Sequence, residues 1–470
     1  MKKKIVSLLL TGVMAVGALA GCGGGQSIAD QQAAADSSTD SAEGGDSADS
    51  TVTMAAADEV DGTEITFWHS MGGVNGQAID ELVNRFNEEN ELGITVVSEY
   101  QGEYDDALNK LRSAQIGNMG ADLVQVYEIG TRFMIDSGWI IPMQEMIDQD
   151  NYDVSQIEPN LAAYYTIDDQ LYSMPFNSST PLMYYNVDMF EKAGITEIPT
   201  SLEGIEAIGD QLLNEGGASE VISLGIYGWF FEQFLGKQGL DYANNGNGRE
   251  EAATAVAFDE NGGAANILNA WKSLSDKGYA PIVGRGGDAG LADFSSGASA
   301  ITLGSTASLK QILQDVNGRF EVGTAYFPSI TDEDQGGVSI GGASLWALNN
   351  NDPKKLRATW EFVKFLISPE SQAYWNAQTG YFPVTVAAQE EQVFKDNIAQ
   401  YPQFQTAIDQ LHDSSPEYVG ALLSVFSEAR DTVESEIESM LNGEVDVDEA
   451  VSNMADTINK SIEEYNLVNG

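Results

Sequence analysis

Apolar and polar positions along this chain follow two rhythms, and their succession predicts an α/β protein. Glu64-Ile65-Thr66-Phe67-Trp68 reads as a strand, with Ile65 and Phe67 on one face. Ile79, Leu82, Val83 and Phe86 then recur at helical spacing. Ile94-Thr95-Val96-Val97 is a second strand, Leu108 and Leu111 mark a second helix, and Asp122 to Tyr127 form a third strand. This β-α-β-α-β order is the signature of a parallel sheet flanked by helices. A second α/β series starts at the strand Leu182 to Tyr185. Pro199-Thr200 is expected to cap a helix carrying Leu202, Ile205, Ile208 and Leu212. A helix around Ile267, Leu268 and Trp271 follows. Ala300 to Leu303 is then a strand, and Leu309, Ile312 and Leu313 mark the helix after it. Asp352 is expected as N-cap, with Pro353 at the first position, of a helix through Trp360 and Phe365. The C-terminus reads as helical, since Val425, Ala429, Val433, Ile437 and Leu441 recur every four residues.

The first sixty residues break this pattern. Lys2 to Lys4 precede an apolar stretch from Ile5 to Ala20, which ends in Leu19-Ala20-Gly21-Cys22. That is the layout of a secretory leader, and the stretch is short for a transmembrane helix. Cys22 is the only cysteine of the 470 residues. A cysteine directly after Leu-Ala-Gly resembles a bacterial lipobox, which implies cleavage before Cys22 and acylation of its thiol and new amine. The alternative is an ordinary secretory leader with an incidental cysteine. The run from Gly23 to about Asp61 is rich in Gly, Ser, Ala, Asp and Gln. It holds too little apolar surface to offset the entropy of ordering and is expected to be a flexible acidic tether.

Composition narrows the function. The chain has 72 acidic and 22 basic residues, a formal net charge of -50. Such a surface repels nucleic acid and anionic headgroups. An anionic ligand would need a local basic or dipolar site. His69 and His412 are the only histidines, which excludes a His-rich metal centre. No Walker A, HExxH or CxxC pattern is present. His69, after a strand, is a formal candidate base but more simply a structural residue.

Several residues nevertheless suit a ligand. Gly304-Ser305 lies between a strand and a helix, where free N–H groups and a positive dipole end suit phosphate. Ser305 reads equally as a plain N-cap. Arg430 sits beside the apolar stripe of the C-terminal helix. It either binds an anion in a bidentate way or pairs with Glu428, Asp431 or Glu434. Tyr381 lies in a turn-rich segment, as a hydroxyl donor or as core. Glu128 follows a strand, as an acceptor for ligand hydroxyls or as a solvated loop acid. Trp229 is read as core unless it walls a pocket.

These positions coincide with longer shared stretches: FWHSMGG at 67–73, QVYEIGT at 125–131, PFNSSTP at 175–181, IGGASLW at 340–346 and TGYFPVT at 379–385. From about Glu64 to the C-terminal helix the chain resembles the extracytoplasmic solute-binding proteins of ABC importers. It looks most like their glycerol-3-phosphate binders. The resemblance implies a two-lobed, type II periplasmic-binding-protein-like α/β fold with a ligand cleft. The lobes would comprise residues 63–177 plus 342–381 and 178–341 plus 382–470, with crossings near Ser178, Gly341 and Phe382. Residues 1–21 would be the leader and 22–62 the lipidated tether. Ser179, Ser305, the Gly342 backbone N–H, Tyr381 and Arg430 would surround a phosphate. Tyr104, Glu128 and Trp229 would face the glycerol end. The family pattern Trp-x-Gly-Trp is met here by Ile226-Tyr227-Gly228-Trp229. Ile226 in place of an indole implies room for a larger glycerophosphodiester such as glycerophosphocholine. The implied protein is a monomer without catalytic residues, cofactor or metal. It would hold a polyol phosphate, attach to the outer membrane face through its N-terminal lipid and deliver to an ABC permease. A sugar or oligosaccharide binder of the same class is the first alternative. A surface-anchored phosphodiesterase is the second.

Overall fold

The computed structural model describes residues 53–117, 120–414 and 418–469. The expected leader, Cys22 and the tether up to residue 52 lie outside them. The last ten residues assigned to the tether are described, and they are packed rather than free. Met54 and Val60 are buried, with Val60 fully so. The Met54 N–H donates to Gln149 Oε1 at 2.8 Å, and Arg357 Nε donates to the Ala55 carbonyl at 2.9 Å. Two apolar side chains and a few satisfied backbone groups dock this short segment on the helix Pro353–Leu366.

Thirteen strands occur among the described residues. β1 (Glu64–His69), β2 (Thr95–Tyr100), β3 (Leu123–Tyr127) and β4 (Ile140–Ile141) come first in the chain. The hairpin β5 (Thr166–Ile167) and β6 (Gln170–Leu171) follows, then β7 (Met174–Ser179) and β8 (Pro181–Asn186). β9 (Glu220–Ile226), β10 (Ile282–Arg285), β11 (Ser299–Ser305), β12 (Val322–Tyr326) and β13 (Gly341–Leu348) complete the set. One sheet runs β2-β1-β3-β13-β4, with β7 also paired to β13. β1 is parallel to β2 and β3, as the β-α-β-α-β rhythm requires, and β13 is inserted antiparallel. The second sheet runs β10-β9-β11-β8-β12. There β9 is parallel to β10 and β11, whereas β8 is antiparallel to β11.

Local chemistry explains where the helices stop and start. The helix Gly73–Glu89 buries Ala78, Ile79, Leu82, Val83 and Phe86 along one face. Asn90 ends it by donating to the Phe86 carbonyl and accepting the Ile94 N–H. Asp352 caps the helix Pro353–Leu366 by accepting the N–H groups of Lys354 and Lys355. The cap of the helix Leu202–Gln211 is Ser201, one residue past the expected Pro199-Thr200. Its hydroxyl takes the Gly204 N–H at 2.9 Å. The C-terminus is two packed helices, Phe426–Leu441 and Val447–Asn469.

Each sheet centres its own apolar core. Phe67, Phe86, Leu345, Trp360 and Trp375 belong to the first, and Ile222, Phe230, Phe234, Trp271 and Ile437 to the second. The second cluster also takes in Val126, Tyr127, Ile129 and Phe133 from the far end of β3. Ser178, Gly341 and Phe382 lie side by side: Ser178 pairs with Phe382 and with Gly342, and Gly341 with Ser179. The segment after Phe382 does not pass wholly to the second lobe. Phe382, Val384, Ala388 and Phe394 join the first core, and the helix Gln392–Gln400 lies on the helix Pro369–Thr379. Only from the helix Gln403–Asp413, which packs on β12, does the chain join the second sheet.

Candidate functional site

A cavity of about 660 Å³ opens beside the strand ends of both sheets. β3 ends at Tyr127 before Glu128, β7 at Ser179 and β11 at Ser305, all at carboxyl ends, where open α/β sheets hold ligands. Antiparallel β13 begins there with Gly341 and Gly342. The cavity wall includes Tyr104, Glu128, Ser179, Trp229, Ser305, Gly342, Tyr381 and Arg430, the eight residues expected around a ligand.

Ser305 is both cap and wall. Its oxygen accepts the Ala307 N–H at 3.1 Å, which leaves its hydroxyl hydrogen for another acceptor. The helix expected directly after it is preceded by a single 3₁₀ turn, Thr306–Ser308. Gly342 is required by geometry. Its φ is +89°, and a Cβ there would meet the Asn177 carbonyl oxygen at 2.0 Å. Trp229 reconciles both of its readings: it packs in the second core and lines the cavity, at 3% exposure. Its indole N–H has no protein partner.

Arg430 pairs with none of its helix neighbours. Nε donates to Glu232 Oε1 at 2.6 Å, and Nη2 donates to Glu232 Oε2 at 2.9 Å and to Glu128 Oε1 at 2.5 Å. Glu128 is therefore a buried ion-pair partner rather than a solvated loop acid. Burial raises its carboxyl above the usual range against the pull of Arg430. Burial alone would lower the guanidinium pKa; Glu232 and Glu128 instead hold Arg430 charged, well above its usual range. Gly228 makes this approach possible, because a Cβ there would meet Arg430 Cγ at 2.9 Å.

A buried relay stands behind Tyr104. Gln125 Oε1 accepts the Ser70 N–H, Gln125 Nε2 donates to Asn177 Oδ1 at 2.7 Å, and Asn177 Nδ2 donates to the Tyr104 hydroxyl at 2.9 Å. The Tyr104 and Tyr381 phenols lie close enough to influence each other's ionisation. Burial raises both pKa values, so both groups remain protonated donors. The expected division into a phosphate group and a glycerol group is not kept apart in space. Tyr104 lies beside Tyr381, and Glu128 bonds Arg430.

Ile226 is the one expected residue that does not line the cavity. It ends β9 fully buried in the second core, while Tyr227, the next residue, lines the cavity. Successive strand side chains face opposite ways, so a residue at 226 points behind the wall. Sequence reading also missed Gln125, Asn177, Glu232 and Lys310. Gln125 and Glu232 are polar residues inside apolar runs, a detectable signal, whereas Asn177 opens the polar run to Thr180. Lys310, on the cavity wall, carries no such mark. His69 ends β1, where its Nδ1 accepts the Met71 N–H, and burial lowers its pKa. Among the described residues no group of His, Cys, Asp or Glu is arranged to hold a metal ion.

The family model of bacterial extracellular solute-binding proteins matches residues 81–406. The sn-glycerol-3-phosphate-binding periplasmic protein UgpB of Salmonella typhimurium is 33% identical over 416 residues, covering 86% of this chain and 93% of that protein. The protein of the same name from Yersinia pseudotuberculosis is 32% identical over 399 residues, covering 83% and 90%. Among solved structures, UgpB from Mycobacterium tuberculosis in complex with glycerophosphocholine superposes with TM-score 0.72 at 25% identity, over 86% of this chain and 99% of that one. The GacH receptor of Streptomyces glaucescens, solved unliganded and with acarbose, gives TM-score 0.70 at 20% identity, over 85% and 98%. Two α/β lobes, a cavity at their strand ends and these matches lead to one conclusion: the chain belongs to the bacterial extracellular solute-binding proteins, with their two-lobed periplasmic-binding-protein-like fold.

Proposed function

We propose that this protein is the substrate-binding lipoprotein of an ABC importer. It captures glycerol 3-phosphate or a glycerophosphodiester such as glycerophosphocholine and delivers it to a membrane permease. The observation that carries this reading is the set of donors lining one cavity: the hydroxyls of Ser179, Ser305 and Tyr381, the unpartnered indole N–H of Trp229, and Arg430. Such donors suit the oxygens of a phosphate, and the Glu128 carboxylate suits polyol hydroxyls. The names of the relatives at 32–33% identity, and the glycerophosphocholine held by the mycobacterial protein, support the same ligand class. The acarbose-bound neighbour keeps a sugar in view, but a sugar has no need of Arg430 and Lys310 on the wall. Acylation at Cys22 holds the monomer near its permease. The adjacent strands at Ser178 and Gly341 are the hinge about which ligand draws the lobes together. No covalent step is involved. A thermal-shift screen of phosphorylated and plain polyols tests the reading. Glycerophosphodiesters or glycerol 3-phosphate raise the melting temperature and plain sugars do not. A shift with sugars alone would contradict it.

A further inference from the structure

Resting on that reading, we infer that Glu232 is a specificity-determining residue. Through its clamp on Arg430, it sets the cavity to accept monoanionic phosphodiesters over dianionic phosphomonoesters. Glu232 lies on the helix Gly228–Gln238 and does not line the main cavity. It lines a separate cavity of about 100 Å³ with Glu128, and its link to the main cavity is its pair of bonds to the Arg430 guanidinium. Its two oxygens take the whole Nε/Nη2 edge of Arg430, and Glu128 takes another Nη2 hydrogen. Nη1 alone stands outside these bonds. The three side chains are at most 13% exposed, so solvent does little to screen them. Arg430 thus meets a ligand inside a triad whose formal charge is already -1.

The rest of the wall does not restore a positive field. Lys310 is the other lining cation, and Asp288 and Glu103 line the same cavity. A diester phosphate brings one negative charge, which Nη1 and the hydroxyl donors can meet. A monoester, with its second pKa near 6, brings close to two at about pH 8. Its second charge has only Lys310 left to meet it, whose Nζ lies over the Tyr401 ring at 4.4 Å from the centroid, and an unpaired buried charge is strongly disfavoured. Other titratable groups facing Arg430 are Glu434 on its own helix, which accepts the Gly228 N–H, and the phenols of Tyr127, Tyr164, Tyr227 and Tyr242. Burial raises the pKa of Glu434 and of these phenols, so the phenols add no charge near neutrality.

The test is calorimetric titration of the full chain with glycerol 3-phosphate and with its methyl phosphodiester, which differ by one methyl group and one charge. At about pH 8 the wild type binds the diester more tightly, by a factor on the order of ten, as one unmatched charge at an interior dielectric demands. Lowering the pH to about 5.5, below the second phosphate pKa, narrows the gap by strengthening monoester binding. Glu232→Gln narrows it at about pH 8 as well, chiefly on the monoester side, and Glu232→Asp keeps the wild-type ratio. Equal or tighter monoester binding by the wild type at the higher pH overturns the inference, as does a ratio unmoved in Glu232→Gln. If Glu232→Gln does not fold, the wild-type pH series decides alone. Binding of neither ligand overturns the ligand class itself, a result distinct from both.

Discussion

Trp229 lines the cavity and has a buried indole N–H without a protein partner, and an orphaned donor of that kind is disfavoured until a ligand accepts from it. Trp229→Phe removes the donor and keeps most of the aromatic wall. Its expected cost is about 1 kcal/mol of ligand binding, with the melting temperature of the free protein unchanged or slightly raised. Calorimetry beside a thermal melt checks both; unchanged affinity would show that the indole serves packing alone. At this scale the sequence was informative where a residue type was scarce. Arg430 stands out in a chain with 22 basic residues, and Ser305 stands out between a strand and a helix. Glu232 interrupts an apolar run but is one of 72 acidic residues, and only the folded geometry shows its bonds to Arg430. Ile226 was visible as a departure from a family pattern. Its direction was not, because strand alternation decides which side chain faces the cavity.

Elements place these residues, and the place most sensitive to change is the start of β13. Gly342 there adopts a φ of +89° against the carbonyl of Asn177, the residue that holds the Tyr104 hydroxyl. Gly342→Ala is expected to cost on the order of 2–4 kcal/mol of stability, because it combines a left-handed backbone with a backbone clash. Urea denaturation measures it, and an unmoved midpoint would contradict the geometry. Strands and helices were readable from periodicity because β1, β2 and β3 and their helices bury regular apolar faces. Pairing was not readable. The insertion of β13 between β3 and β7 joins segments more than 150 residues apart, and no local pattern records that. Nor did composition mark the docking of Met54 and Val60, since two apolar residues in a run of small ones leave its average polar.

At the scale of the molecule, the ion triad gains a further meaning. Glu128 follows β3 of the first sheet, whereas Arg430 and Glu232 lie on helices packed on the second sheet's core. The Tyr127 hydroxyl likewise meets Ser427, and Ser424 and Tyr465 both donate to Asp136. These polar links join the lobes, and Glu128, Arg430 and Tyr127 among them also line the cavity, so ligand and lobe position share side chains, as a capture module requires. The charge of -50 leaves such a module dependent on local donors for an anion, and Arg430, with Lys310, is a cation lining the cavity. The most direct test of that claim is calorimetric titration of glycerophosphocholine into the wild type and Arg430→Ala, with maltose as control. The account predicts saturable heat with the wild type, a loss of about 2–5 kcal/mol of binding in Arg430→Ala, and no heat from maltose. Binding of maltose, or unchanged glycerophosphocholine affinity in Arg430→Ala, would contradict it.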